Sequence, residues 1–341
     1  MEALAIKYRP RTWDDVTEQH SIKTILSQQL ESGELQHCYL FVGSAGTGKT
    51  TSARIFANEI NKGQGNPIEL DAASNNSVDD MRDLIAQART KSLDSEYKVF
   101  IIDECHMITI QGWNAILKLI EEPPAKSIFI FCTTDPQKIP KTILSRVQRY
   151  DFQRISQTGI VDRLAYILDE EDKDDGIIID RTEEALEYIA KIADGGMRDA
   201  ITMLDKCLAY STDLTLENVV KALGVADYDI MFDLTDALVL DRDNKKMIEI
   251  IENLYANGKE LKQFMKDYIH FVLDIRKVLI DCPAKYISIP NTEEYKKRVA
   301  EYKNAEFGEY ICSLLNTLIS LNSDIKYSAS PKIDIEAALM M

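Results

Sequence analysis

Long apolar runs are missing from this chain. None approaches the roughly 20 residues that a membrane-spanning helix needs, and the opening MEALAIKYRPRTW has no apolar core of the kind a secretory signal carries. The expected compartment is the cytoplasm, with no membrane partner. Cysteine is sparse and scattered: Cys38, Cys105, Cys132, Cys207, Cys282 and Cys312 form no CxxC pair. That spacing argues against a disulfide framework or a zinc site and for reduced, buried thiols. A surplus of positive charge is absent too, the formal net charge being −16. A protein that coats nucleic acid with a generally basic surface is thereby excluded. A local phosphate-binding channel is not, because it needs only a few cations and helix N-termini. No internal repeat or low-complexity linker is present.

What remains is the composition of an ordinary folded protein, with 45% hydrophobic and 28% charged residues, which sets disorder aside. The 341 residues suffice for two or three domains. From about Ser21 to Tyr150, helix-period segments alternate with the short apolar runs YLFVG (Tyr39 to Gly43), PIELDA (Pro67 to Ala72), KVFIIDE (Lys98 to Glu104) and SIFIFCTT (Ser127 to Thr134). Each run has the length and composition of a strand buried on both faces, so a parallel sheet covered by helices is expected. After about Gln153 the strand signals stop. Segments such as EEALEYIAKIA (Glu183 to Ala193) and NKKMIEIIENLYANG (Asn244 to Gly258) predict an all-helical remainder. The acidic DEEDKDDG (Asp169 to Gly176) reads as a solvated loop, and a break near Gly224 to Tyr228 divides the helical part in two.

The segment GSAGTGKT matches GxxxxGK[ST] in full, and it lies between an apolar strand and the helical TTSARIFANEI. Gly43, Gly46 and Gly48 let the loop curl so that its amides, with Ser44, Ala45 and Thr47 between them, point at phosphate oxygens. Lys49 would reach the β and γ phosphates of ATP, Thr50 would ligate Mg²⁺, and Thr51 follows on the helix. A chance glycine-rich turn would not explain strand, loop and helix in this order.

In VFIIDECH, two adjacent carboxylates follow four apolar residues at a strand's end. A strand beside the P-loop strand would let Asp103 hold the Mg²⁺ shell and Glu104 polarise the attacking water. The alternative, a favourable acidic start to the next helix, does not explain why the pair follows a buried strand. SIFIFCTT ends at Thr133, Thr134 and Asp135, so a hydroxyl or carboxylate could lie near the γ phosphate, although Thr-Thr-Asp-Pro is also turn chemistry. Arg146 and Arg198 carry planar, permanently charged forks suited to a γ phosphate, and equally suited to salt bridges.

Taken in order, the stretches KYRPRTWDDVTEQ, HCYLFVGSAGTGKTTSARIFA, ELDAASNNSVDDMRDL, DECHMITIQGWNAILKLIEEPP, TTDPQKIPKTILSRVQRYDF and GGMRDAITMLD resemble the DnaX (gamma/tau) family of bacterial DNA polymerase III clamp-loader ATPases, within the AAA+ superfamily. The match is dense over residues 4 to 205. Beyond that it rests on helical character, length and the ending SPKIDIEAALMM. The resemblance implies a P-loop α/β domain over residues 1–155, a helical lid over 156–225 and an all-α collar for oligomerisation over 226–341. By position, Arg146 corresponds to the arginine finger that serves a neighbouring subunit's ATP, with Val147 where the family's SRC motif has cysteine. Arg198 corresponds to the second-sensor arginine and Thr134 to the first-sensor threonine, while Tyr8, Arg9 and Pro10 fall in the motif flanking the nucleotide.

The family's four-cysteine zinc module has no counterpart, because only INKGQGNP separates the P-loop helix from ELDAAS. The cofactors implied are therefore ATP and Mg²⁺ without zinc. The chain also stops where the family's third domain ends, as a compact or divergent form, such as one encoded by a phage or mobile element, would. The implied partners are other clamp-loader subunits in a homo- or hetero-oligomeric, pentameric assembly, a sliding clamp and primer-template DNA. The DNA would face helix N-termini such as that near Ser77, where S-x-x-D has the form of a capping box. Two other readings stand beside this one. A AAA+ helicase or branch-migration motor would normally carry a winged-helix domain in place of the collar. A non-catalytic assembly subunit would tend to lose P-loop or carboxylate residues that are all present here.

Overall fold

The apolar runs become parallel strands because their alternate side chains can be covered on both faces. The computed structural model describes residues 2–92, 94–175, 180–223, 228–283, 286–290, 293–303, 305–326, 328 and 330–340. After α1 (Leu4–Lys7) and α2 (His20–Ser32) come β1 (Cys38–Val42), α3 (Lys49–Ile60), β2 (Ile68–Asp71), α4 (Val78–Ala88), β3 (Lys98–Asp103), α5 (Ile110–Glu121), β4 (Ser127–Thr133), α6 (Lys141–Leu144), β5 (Gln148–Asp151) and α7 (Gln157–Asp175). The five strands form one parallel sheet in the order β2-β3-β4-β1-β5.

Three expectations change here. The strand carrying Asp103 is not beside the P-loop strand: β4 lies between them, pairing Val42 with Thr133 and Ile102 with Phe131. And β5, unread in the sequence, closes one edge with three of its four residues exposed, so it shows no apolar run. At the other edge β2 is half-buried on alternate residues, Ile68 and Leu70, rather than buried on both faces.

Successive side chains of the central strands point to opposite faces. Leu40, Phe100, Ile102, Phe129 and Phe131 meet Met81 and Leu84 of α4 and Trp113 and Ile116 of α5. Tyr39, Phe41, Val99, Ile101 and Ile130 meet Leu26 of α2 and Ala53 and Phe56 of α3. Each fully buried large side chain contributes about 1.5–3 kcal/mol, so the β1-β3-β4 centre is rigid and its C-terminal ends are fixed relative to one another.

Helix α7 runs through Asp175, so the acidic stretch from Asp169 is helix rather than loop. A Glu170–Lys173 ion pair one turn apart and Glu171 on Lys7 (each 2.7 Å) offset the like charge that argued for a break. Gly176 lies outside the described residues.

The remaining elements are β6 (Asp180–Arg181), α8 (Glu183–Ile192), α9 (Met197–Tyr210), β7 (Asp213–Leu214), α10 (Leu216–Leu223), α11 (Tyr228–Thr235), a π-helical turn (Asp236–Leu240), α12 (Asn244–Ala256), α13 (Leu261–Leu279), α14 (Glu293–Glu301), α15 (Ala305–Ile325) and α16 (Pro331–Leu339). The region expected to be wholly helical thus contains one short parallel pair, β6 with β7. Most of the Gly224 to Tyr228 break, and with it the 225/226 boundary, lies outside the described residues.

Contacts divide the chain into two units, Met1–Ile178 with Ile189–Asp205, and Ile179–Tyr188 with Lys206–Met341. The second unit has its own core, in which Phe232 of α11, Tyr268 and Phe271 of α13 and Leu314 and Leu318 of α15 are buried together. Its polar anchors are Arg298 on Asp233 and Asp236 (2.7 and 2.6 Å) and the buried Asp274, which accepts from Lys277 Nζ and from the Ser288 amide. No helix among the described residues is long and apolar enough to cross a membrane.

Candidate active site

The C-terminal ends of β1, β3 and β4 open side by side, and the P-loop leaves the first of them. Val42 and Gly43 are tied to both neighbours, Phe152 N–H donating to Val42 O (2.7 Å) and Gly43 N–H to Thr133 O (3.3 Å). A Cβ on Gly43 would stand 2.7 Å from Phe152 O, so only glycine fits. Gly46 and Gly48 take φ of +72° and +98°, the left-handed region that turns the loop back onto α3. Thr47 is buried and donates to Ser44 O at 2.9 Å, while Ser44 and Ala45 are exposed at the loop tip.

Lys49 opens α3 with its side chain only 6% exposed and donates to Gly43 O (2.9 Å) and Ser44 O (2.8 Å). Burial lowers its pKa from the ordinary lysine value, opposed by the nearby Glu104, Cys132 and Asp103. Thr50 Oγ1 donates to Asp103 Oδ2 at 2.7 Å, which joins the start of α3 to the end of β3. Glu104 follows with φ +45° and ψ 42°, a left-handed conformation that costs a non-glycine residue about 1–2 kcal/mol. Its amide donates to Asp103 Oδ1 (3.0 Å) and its carbonyl accepts from Met107 N–H (2.9 Å), so the strained turn is held on both sides. The Glu104 carboxylate accepts from Thr134 Oγ1 at 3.0 Å.

Lys49, Thr50, Asp103, Glu104 and Thr134 are thus brought together. Arg9 approaches them from the N-terminal segment, its Nε donating to Thr51 Oγ1 at 3.4 Å. Its pKa is lowered by burial and by Arg54 and Arg198, with Glu69 and Asp103 opposing. The Tyr8 hydroxyl donates to Glu171 (2.5 Å) and its carbonyl accepts from Arg163 (3.0 Å). Pro10 is half-buried beside them. Arg198 lies in the first turn of α9, whose Met197 N–H donates to Gly46 O at 3.0 Å, so that helix N-terminus rests on the P-loop.

Arg146 is elsewhere. Exposed between α6 and β5, it pairs with Glu121 at 2.8 Å and donates to Thr142 O (2.8 Å) and Ser145 Oγ (3.1 Å). Among the described residues it makes no hydrogen bond or ion pair with the P-loop or the Asp103–Glu104 pair.

Three contributors were not legible beforehand. His106 sits in the 3-10 turn Cys105–Met107 with its Nδ1 3.2 Å from Glu104 Oε2. Gly196 presses on Gly46, where an added Cβ would come within 2.9 Å of the Gly196 Cα. Glu121 holds Arg146. Only the Gly-Gly before Met197 gave a signal, as a place where backbone must approach closely.

The donor set fits a nucleoside triphosphate with a divalent cation. A buried lysine whose hydrogen bonds go only to loop carbonyls can exchange those neutral acceptors for phosphate oxygens. The hard oxygens of Thr50 and Asp103, already adjacent, suit Mg²⁺. No cluster of three or more His, Cys, Asp or Glu able to hold a metal occurs among the described residues.

Comparison with known proteins finds relatives along nearly the whole chain. Three family models match in succession: DNA polymerase III, delta subunit, over residues 67–156; DNA polymerase III clamp loader subunit, ATPase lid domain, over 159–213; and DNA polymerase III subunits gamma and tau domain III over 214–340. The DNA polymerase III subunit gamma of Buchnera aphidicola subsp. Acyrthosiphon pisum is 31% identical over 99% of this chain and 98% of its own length. The chain belongs to the gamma/tau family of DNA polymerase III subunits. The tau subunit of Bacillus subtilis (strain 168) is 34% identical over 99% of the chain, and the gamma/tau subunit of Mycobacterium tuberculosis (strain ATCC 25618 / H37Rv) 36% identical over 80%. The chain spans 62% and 50% of the length of these two relatives. In fold, this gamma/tau chain is similar to the Thermotoga maritima RuvB Holliday junction branch migration motor, with a TM-score of 0.53 at 18% identity over 74% of this chain and 86% of that one.

Proposed function

We propose that the chain is the ATP-hydrolysing motor of a DNA polymerase III-type clamp loader, which opens a sliding clamp and loads it onto primer-template DNA. The observation that carries the reading is the joined pair Thr50–Asp103, with Lys49 and Glu104 beside it, in a chain of the gamma/tau family. The P-loop amides from Gly43 to Thr50, with Thr51 and Arg9, would bind and orient the triphosphate. Lys49 would compensate its β and γ charges. Mg²⁺, when held by Thr50 and Asp103, would neutralise charge developing on the phosphoryl oxygens. Glu104 would take the hydrogen bond of the attacking water and Thr134 would steady that carboxylate. Arg198, from the helix resting on Gly46, would act in cis, and Arg146 would act on the neighbouring subunit. Tyr8 and Pro10 would shape the N-terminal border of the site, Tyr8 through its bond to Glu171 rather than through the nucleotide.

The division into an ATPase domain (1–155), lid (156–225) and collar (226–341), assembly with other clamp-loader subunits in a pentamer, cytoplasmic location and the lack of structural zinc belong to the same reading. So does the DNA-facing N-terminus of α4. There Ser77 and Asp80 form a reciprocal capping box, a geometry that leaves the helix end intact at a surface.

Lys49→Ala and Glu104→Gln separate the binding and hydrolytic roles. Lys49 interacts with phosphates in the ground state as well as the transition state, whereas Glu104 matters once water attacks. Calorimetry should find no measurable ATP binding by Lys49→Ala. Glu104→Gln should bind ATP within a few-fold of the parent and lose more than about 100-fold in turnover. Unchanged affinity in the first variant, or surviving turnover in the second, overturns the assignment.

A further inference from the structure

We infer that His106 is a positioning residue for the Glu104 carboxylate, engaging one of its oxygens through Nδ1–H so that the other is kept for water. The inference rests on the reading of Glu104 given above.

A carboxylate only accepts hydrogen bonds, and two donors converge on the same oxygen here. Thr134 Oγ1 reaches Oε2 at 3.0 Å and His106 Nδ1 lies 3.2 Å from it. Among the described residues no hydrogen bond is made to Oε1. The imidazole is itself fixed, with a side chain 11% exposed and Nδ1 also 3.1 Å from Thr133 Oγ1. That hydroxyl oxygen accepts from Asp135 N–H (3.0 Å). The Glu104 carboxylate beside Nδ1 can only accept and the Thr133 hydroxyl can accept as well, so the proton belongs on Nδ1 rather than on Nε2 alone.

Thr133 is fully buried as the last residue of β4, in register with Val42 of the P-loop strand. The ring consequently ties the turn after β3 to the end of β4, across the gap into which Glu104 projects from its left-handed backbone. Without it a three-torsion carboxylate would keep one protein donor, Thr134, and could swing about it. A group held through another in this way alters the orientation of the base and leaves nucleotide affinity alone.

Substitutions that move the donor test this without removing a polar side chain. The amide nitrogen of Asn occupies the place of Nδ1, and that of Gln the place of Nε2. Steady-state ATP hydrolysis is measured on the full chain assembled with the other clamp-loader subunits, with nucleotide affinity by calorimetry. His106→Asn should keep kcat within about threefold of the parent, whereas His106→Gln should lose roughly 10- to 100-fold, the range of one hydrogen bond to a charged group. KM and affinity should stay within about twofold in both. His106→Ala should repeat the loss seen with Gln, which keeps the test open if one variant folds poorly. Equal kcat in the Asn and Gln variants, a change confined to KM, or faster turnover in His106→Ala overturns the inference. Glu104→Gln distinguishes the two levels. If that variant still turns over, the reading of Glu104 fails; if it does not while His106→Gln and His106→Ala keep kcat within about threefold of the parent, the role of His106 alone fails.

Discussion

Lysine 49 illustrates how a residue can be read from sequence while its surroundings cannot. Its place after GSAGTG predicts a phosphate ligand. That it is 6% exposed and leans on Gly43 and Ser44 carbonyls required the fold. Asp103 and Glu104 were legible for the same reason, as carboxylates ending a buried strand. His106, two residues on, was not, because nothing in a one-residue context shows that a ring will turn back across a 3-10 turn to its neighbour's carboxylate. Cysteine was read in part. Cys38, Cys105, Cys132 and Cys207 are buried free thiols, but Cys282 and Cys312 are half-exposed, so the expectation of six buried thiols is too broad. Burial pushes the Cys38 thiol up to about 12 and Cys207 to about 11, and raises Cys105 and Cys132 further. Raised thiol pKa values leave almost no thiolate at pH 8. Titration of the native protein with a thiol-reactive disulfide at that pH should therefore modify two thiols promptly, and all six only in denaturant. Rapid reaction of four or more in the native protein would contradict the burial described.

At the level of elements, the apolar runs located four of the five sheet strands to within a residue at either end. Their order was not legible, since each run is equally able to be central. β4 lies between β1 and β3, which brings Thr133 and Thr134 next to the ends of both strands. β5 escaped notice because QRYD has only Tyr150 to bury, and the helical acidic end of α7 did so because two of its carboxylates pair with lysines, Lys173 on the same helix and Lys7 of α1. The contact between α9 and the P-loop has a direct test. Gly46→Ala imposes a left-handed alanine and a Cβ 2.9 Å from the Gly196 backbone, which must shift. The unstrained loop and the Met197-to-Gly46 hydrogen bond cannot both survive. Thermal unfolding should fall by about 1–3 kcal/mol and ATP affinity by tenfold or more. Wild-type affinity with wild-type stability would show that α9 does not constrain the loop.

For the whole molecule, the placement of Arg146 is the observation that bears on assembly. Among the described residues it makes no hydrogen bond or ion pair with its own chain's P-loop and is tied to Glu121 at the end of α5, the helix that begins just after the Glu104 turn. If it acts in trans, Arg146→Ala should bind ATP nearly normally and hydrolyse poorly, since an arginine finger is worth roughly 10³ to 10⁵ where it is the main charge stabiliser. Mixing Arg146→Ala with Lys49→Ala chains should restore partial activity, because some interfaces would pair an intact P-loop with an intact finger. No recovery in demonstrably mixed oligomers would make Arg146 a cis or purely structural residue. The most direct test of the clamp-loading role is ATP hydrolysis by the assembled subunits alone, with primed DNA, with the cognate sliding clamp, and with both. A clamp-loader motor should be stimulated most by clamp and primed DNA together, and Glu104→Gln should abolish that rate. Full stimulation by DNA alone, with no further effect of the clamp, would contradict the account and favour a DNA-translocating motor on the same fold.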